Sequence, residues 1–230
     1  MNNKTALITG CNRGLGEGIR NILLKQGYTV IGLNRTLSNQ KLKNYIEIKC
    51  DISNSENIEK AKEKFNKKID LLIINAGIRR FEKIESMKKQ DWEDSVNINL
   101  NGAFYTLNSF IENVKNAKGD IIIIGSHSEK YTFEEGGAYC STKLALRGMA
   151  ECLREELRYE DVRVSYLSLG SIKNRNHNIY EEWKLMPEEV GITILNIINL
   201  PKRIFIPYLD IRPLQPLKDE KKGIEKLQYV

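Results

Sequence analysis

Tyr139 and Lys143 stand four residues apart in Tyr139-Cys140-Ser141-Thr142-Lys143, within a stretch rich in Ala, Leu, Arg and Glu. On a helix that spacing puts both side chains on one face. A phenol ordinarily ionises near a pKa of ~10, and a neighbouring ammonium favours its anion, which brings proton exchange towards neutral pH. Far upstream lies Thr9-Gly10-Cys11-Asn12-Arg13-Gly14-Leu15-Gly16, a glycine turn between a β-branched run and an amphipathic stretch. A strand running through glycines into a helix aims free backbone N–H groups and the positive helix end at one point, where a pyrophosphate can sit. Each motif has a plainer reading, an amphipathic helix for the first and a ligand-free tight turn for the second. Together they point to hydride chemistry on a carbonyl or an alcohol.

These residues need elements to hold them. Short β-branched runs alternate with longer amphipathic stretches, the pattern of repeated strand–helix–strand units and of a doubly wound parallel sheet with helices on both faces. Strands are expected at Thr5–Thr9, Thr29–Leu33, Tyr45–Cys50, Leu71–Asn75, Ile121–Ser126, Arg163–Leu167 and Arg203–Ile206. Leu15, Ile19, Ile22 and Leu23 form one helical stripe and Ile58, Ala61 and Phe65 another, the second preceded by a capping-box pattern at Ser53-Asn54-Ser55-Glu56. A long helix spans Trp92 to Leu100 and continues or restarts through Phe104 to Val114, and a further one runs from about Tyr139 to Tyr159.

The 230 residues suit one α/β domain, taken as 1–216 with a charged tail at 217–230. No apolar run reaches the ~20 residues of a membrane span, and no secretory signal pattern opens the chain, so a cytoplasmic, non-membrane protein is expected. Cys11, Cys50, Cys140 and Cys152 lack metal-ligand spacing and read as structural thiols, with no metal site. The charge of +6, from 36 Lys and Arg against 30 Asp and Glu, is largely interspersed, as in Glu59-Lys60-Ala61-Lys62-Glu63-Lys64. That marks solvated helix faces rather than a nucleic-acid platform, though it favours anionic small ligands.

The spacing T-G-x3-G-x-G resembles the glycine motif of the classical short-chain dehydrogenase/reductase family, and the resemblance runs from about Lys4 to Pro213. It implies a Rossmann-type fold with Gly10, Asn12, Arg13, Gly14, Leu15 and Gly16 around the pyrophosphate. Where NAD-specific members carry a carboxylate after the second strand, this chain has Asn34 followed by Arg35. With Arg13 these offer a charge-complementary seat for a 2′-phosphate, as in NADP-preferring members, so NADP(H) is expected over NAD(H). Asp51 and Ile52 would meet adenine, with helix capping as the plainer role of Asp51. Asn75-Ala76-Gly77 matches the N-A-G motif, Asn75 bracing the sheet and the small residues admitting the ribose.

Ser126 lies 13 residues before Tyr139, at the offset of the family's serine, and Asn99 lies in a segment resembling that of its fourth catalytic residue. By resemblance, Tyr139 gives the proton to the carbonyl oxygen and Ser126 hydrogen-bonds that oxygen. Lys143 holds the nicotinamide ribose and lowers the Tyr139 pKa, and Asn99 supports a water linking Lys143 to solvent. His127 is expected on the opposite face of the strand end as a structural histidine, Ser128 as a second hydroxyl contact at most, and Cys140 as a packed thiol.

Two segments depart from the family. The usual Pro-Gly and threonine after strand six are replaced by Leu169-Gly170-Ser171-Ile172-Lys173-Asn174, leaving Gly170, the Ile172 backbone and Asn174 to meet the carboxamide. The substrate lid, about 171–187, is short; its His177, Tyr180, Trp183 and Met186 either line the site or close the core. The resemblance implies a small carbonyl or alcohol substrate and a homodimer or homotetramer built on the helices of Asn99–Val114 and Tyr139–Tyr159. A nucleotide sensor without turnover needs only the glycine turn, and an NAD-linked dehydrogenase would need Asn34, Arg35 and Arg13 to act otherwise than as a phosphate seat.

Overall fold

The computed structural model describes residues 4–38, 40–173 and 183–215. Seven strands, β1 (Thr5–Thr9), β2 (Thr29–Asn34), β3 (Tyr45–Lys49), β4 (Leu71–Ile74), β5 (Asp120–Ile124), β6 (Arg163–Leu169) and β7 (Tyr208–Ile211), form one sheet in the order β3-β2-β1-β4-β5-β6-β7. Every neighbouring pair is parallel. The order reverses between β1 and β4, and in open parallel sheets a ligand crevice lies beyond the carboxyl ends of the strands at such a reversal.

Side chains alternate across the strands and feed two cores. Leu7, Ile31, Leu72, Ile121 and Val164 pack on one face against α2 (Ser55–Lys64), α4 (Gly102–Lys115) and α5 (Gly137–Leu157), through Ala61, Phe110 and Leu153. Ala6, Ile8, Val30, Ile73 and Leu167 face the other way, onto α1 (Gly14–Lys25) and α6 (Pro187–Ile198), through Ile19, Val190 and Ile194. Strands buried on both faces are why each reads as a nearly continuous apolar run.

The structure departs from the sequence reading, or adds to it, at four places. Residues 203–206 are irregular, and the last strand is β7 at Tyr208–Ile211, because it is the backbone of 208–211 that meets the free edge of β6. Residues 187–198 form α6, a helix outside the sequence reading; its close approach to α1 puts Pro187 against Gly18, where a Cβ would lie 2.3 Å from the proline ring. At α2 the cap is Asn54, whose side chain accepts from the Asn57 N–H at 3.2 Å, while Ser53 is bound instead to Asp51. The long helix continues without a gap from α3 (Lys89–Val96) through a single π-helical turn at Asn97–Asn101 into α4.

The ends of the segment expected as a lid are joined, Lys173 N–H donating to Leu185 O at 2.8 Å and Leu185 N–H to Ser171 O at 3.1 Å. Trp183 and Met186 are described and do not line the cavity discussed below. Asn174, His177, Tyr180 and the 217–230 tail lie outside the described residues. Among the described residues no helix is long and apolar enough to cross a membrane, and no cluster of His, Cys, Asp or Glu could hold a metal ion.

Candidate active site

The glycine turn leaves β1 with Gly10 at φ +67° and Gly14 at φ +56°, conformations that side chains rarely adopt. A Cβ on Gly16 would sit 2.2 Å from the Gly10 carbonyl oxygen and 2.6 Å from the Asn75 amide, so the turn can close against the end of β4 only without side chains. Asn75 holds it there, Nδ2 donating to Thr9 O at 2.9 Å and to Gly10 O at 2.8 Å. Thr9 Oγ1 in turn accepts from the Asn75 and Ala76 N–H groups at 2.9 and 3.0 Å.

Beyond this turn opens a cavity of about 950 Å³. Gly10, Asn12, Arg13, Gly14, Leu15 and Gly16 line it at the start of α1, where a helix end favours phosphate. Asn34, Arg35, Asp51 and Ile52 line the end beside β2 and β3. Asn75, Ala76 and Gly77 form its floor, and Ser126, Tyr139, Lys143, Gly170 and Ile172 its far end. A dinucleotide fits this cradle: backbone, not side chains, walls the phosphate region, and two arginines flank the outer end.

Two of the expected cofactor residues are already committed inside the protein. Asn34 is buried, its Oδ1 accepting from Cys11 N–H at 2.8 Å and its Nδ2 donating to Tyr45 Oη at 2.9 Å and Glu47 Oε1 at 3.0 Å. Tyr45 donates onward to Asn12 Oδ1 at 3.0 Å, and Asn12 Nδ2 donates to Thr36 O, so the glycine turn and the loop after β2 are tied as one unit. Burial and the adjacent Cys11 push the Tyr45 phenol well above its usual range, keeping it a neutral donor. Asp51 is an acceptor for Ser53, from N–H at 3.1 Å and Oγ at 2.7 Å.

At the chemical end, α5 starts at Gly137 and presents Tyr139 and Lys143 on successive turns. The Lys143 ammonium lies 5.8 Å from the centre of the Tyr139 ring and donates to Ile124 O at 3.0 Å, which anchors it to the end of β5. Ser126 follows that strand and caps the 3₁₀ turn His127–Glu129. Phe81 meets the Tyr139 ring edge-on, with centroids 5.8 Å apart and planes at 85°.

Asn99 does not line the cavity; it stands behind it in the π-helical turn. Its Oδ1 accepts from Ile78 N–H at 2.7 Å while its Nδ2 donates to Ile78 O at 2.9 Å and to Thr142 Oγ1 at 3.1 Å. Thr142 Oγ1 donates to Tyr139 O at 2.8 Å, so Asn99 links the chain after β4 to the first turn of α5. The extra residue of a π-turn is what swings Asn99 out of the helical ladder toward Ile78. Gly77 borders this region, a Cβ there falling 3.2 Å from Asn99 Oδ1 and 3.9 Å from Lys143 Nζ.

A protein-family model described as short chain dehydrogenase matches residues 4–184. The chain belongs to the short-chain dehydrogenase family. It is 40% identical over 181 residues, 74% of each chain, to the 3-oxoacyl-[acyl-carrier-protein] reductase FabG of Buchnera aphidicola subsp. Baizongia pistaciae. Among solved structures it resembles serine dehydrogenase from Escherichia coli, with 27% identity, a TM-score of 0.83 and coverage of 91% of this chain and 98% of that one. It also resembles an alcohol dehydrogenase from Thermococcus sibiricus complexed with 5-hydroxy-NADP, with 25% identity, a TM-score of 0.81 and coverage of 92% and 97%.

In this short-chain dehydrogenase the departure after β6 is absorbed by the sheet. Leu169 is a buried end residue of β6, and Gly170 N–H donates to Ile211 O at 2.9 Å. Pro213, just after β7, approaches Gly170, its ring 3.3 Å from where a Cβ would stand. His127 is half-buried, and burial and then Arg212 push its pKa down, against a smaller opposing pull from Asp210. The cavity also takes in Thr36, Ser38, Ile78, Arg79 and Arg80, which the motif reading does not include. The only signal for the last three is that they directly follow Asn75-Ala76-Gly77 at the carboxyl end of β4.

Proposed function

We propose that this protein is an NADP(H)-dependent oxidoreductase that interconverts a ketone or aldehyde and its alcohol. The observation that carries this reading is that Ser126, Tyr139 and Lys143 line the same cavity as the glycine turn. The bound cofactor would supply or accept the hydride. In the reductive direction the Tyr139 hydroxyl gives its proton to the carbonyl oxygen, Ser126 donates a hydrogen bond to the same oxygen, and Lys143 supplies positive charge beside the phenol ring. Acid catalysis of this kind is worth ~10²–10⁴-fold.

NADP(H) is favoured over NAD(H) by Arg13 and Arg35 on the cavity wall, with no carboxylate from the end of β2 facing them. Similarity to a 3-oxoacyl-[acyl-carrier-protein] reductase is the reason to test 3-oxoacyl thioesters first among carbonyl compounds. Exposed Phe104 on α4 and Leu144 on α5 support a homodimer through those helices.

NADPH oxidation, followed optically with a panel of 3-oxoacyl thioesters, ketones and aldehydes, tests this. Wild-type turnover of at least one member is expected, with a loss of about 100-fold or more in Tyr139→Phe. Full activity in Tyr139→Phe overturns the assignment of the acid.

A further inference from the structure

Ser126 has a close neighbour that the proposed reaction leaves without a task. The extended backbone of Ser126, φ −154° and ψ 148°, enters the 3₁₀ turn at His127, and the tight turn brings residue 128 back over it. Ser128 is fully buried, and it addresses Ser126 twice: its N–H donates to Ser126 Oγ at 3.3 Å and its hydroxyl donates to the same atom at 2.9 Å.

A serine hydroxyl has two lone pairs and one hydrogen. With both lone pairs of Ser126 Oγ taken by Ser128, the hydrogen is the one part of that hydroxyl still to be placed, and Ser126 lines the cavity. We propose that Ser128 is a positioning residue, which saturates Ser126 as an acceptor and so fixes it as a donor to the substrate oxygen. This rests on the reading of Ser126 given above.

The test uses the full chain with Ser128→Ala and Ser128→Cys, assayed with NADPH and the panel of carbonyl compounds. Wild-type kcat in Ser128→Ala overturns the positioning role, whereas failure of the wild type on the whole panel would count against the proposed reaction.

The reading is kinetic. Ser128→Ala is expected to lose about 5- to 10-fold in kcat with NADPH affinity unchanged, the size of one hydrogen bond felt in the transition state. Ser128→Cys, nearly isosteric and a weaker donor, should fall between Ala and wild type. Equal loss in Ala and Cys, tracking a common drop in melting temperature, would show a packing role and overturn the proposal.

Discussion

The side-chain oxygen of Asn34 accepts the backbone N–H of Cys11 at 2.8 Å, fastening the end of β2 to the glycine turn. Asn34 therefore acts on the cofactor site from within, as the clamp that shapes it. Arg13 and Arg35, which line the cavity, are the residues proposed to meet the cofactor's charge. In Asn34→Asp a carboxylate would replace the amide that now donates to Glu47. The expected outcome is a loss of about 1–3 kcal/mol in stability by thermal or urea unfolding, with no switch to NADH in fluorescence titrations. A clean gain of NADH preference at unchanged stability would show that residue 34 contacts the ribose directly.

Arg13 and Arg35 both line the cavity, one from the glycine turn and one from just after β2. Charge-assisted hydrogen bonds to a phosphate are worth about 1.5–3 kcal/mol, or roughly 10- to 100-fold in affinity. The Arg13→Ala/Arg35→Ala double variant should weaken NADPH by that factor and NADH by less than about 3-fold. Parallel calorimetric titrations check it, and equal weakening of both cofactors would remove the 2′-phosphate from the picture.

Asn99 satisfies both the N–H and the carbonyl of Ile78 while reaching Thr142 under Tyr139. Asn99→Ala strands two backbone groups, and a cost of about 2–3 kcal/mol in unfolding free energy is expected. Turnover should fall as well, because Ile78 lines the cavity and Thr142 fixes the turn that carries Tyr139. Wild-type stability in Asn99→Ala would contradict the clamp.

His127 carries a pKa pushed below its ordinary value of 6.5, chiefly by burial, and its Nδ1 is buried without a hydrogen-bond partner. In the unfolded chain the same ring titrates near its ordinary value, so below that pH the unfolded state binds the proton more readily. Above about pH 7 the residue contributes nothing to the pH dependence. As pH falls through the ordinary value towards the lower folded one, stability is lost. The melting temperature of His127→Gln should consequently drop less between about pH 7.5 and 5.5 than that of the wild type.

Much of this was legible along the chain. The two-sided apolar strands announce a buried parallel sheet, the glycine spacing announces a phosphate turn, and Tyr139 with Lys143 announces a shared helix face. These signals are local: a period, a turn chemistry and an i, i+4 spacing are complete within a few residues. The last strand and α6 were not legible, because their positions depend on pairing and packing with distant partners. β7 is a strand where it borders β6, and α6 sits where Gly18 and Gly191 let it approach α1.

The sequence by itself thus determined the glycine turn, the helix face that Tyr139 and Lys143 share and most of the elements that present them. Only the tertiary structure decided which side chains face the cavity and which are bound behind it. It turned Asn34 inward to the glycine turn, moved Asn99 behind the cavity through a π-turn, and folded Ser128 back onto Ser126. Hydrogen bonds act over about 3 Å and take no account of sequence distance, so a side chain's partners are settled only when the backbone around it has closed.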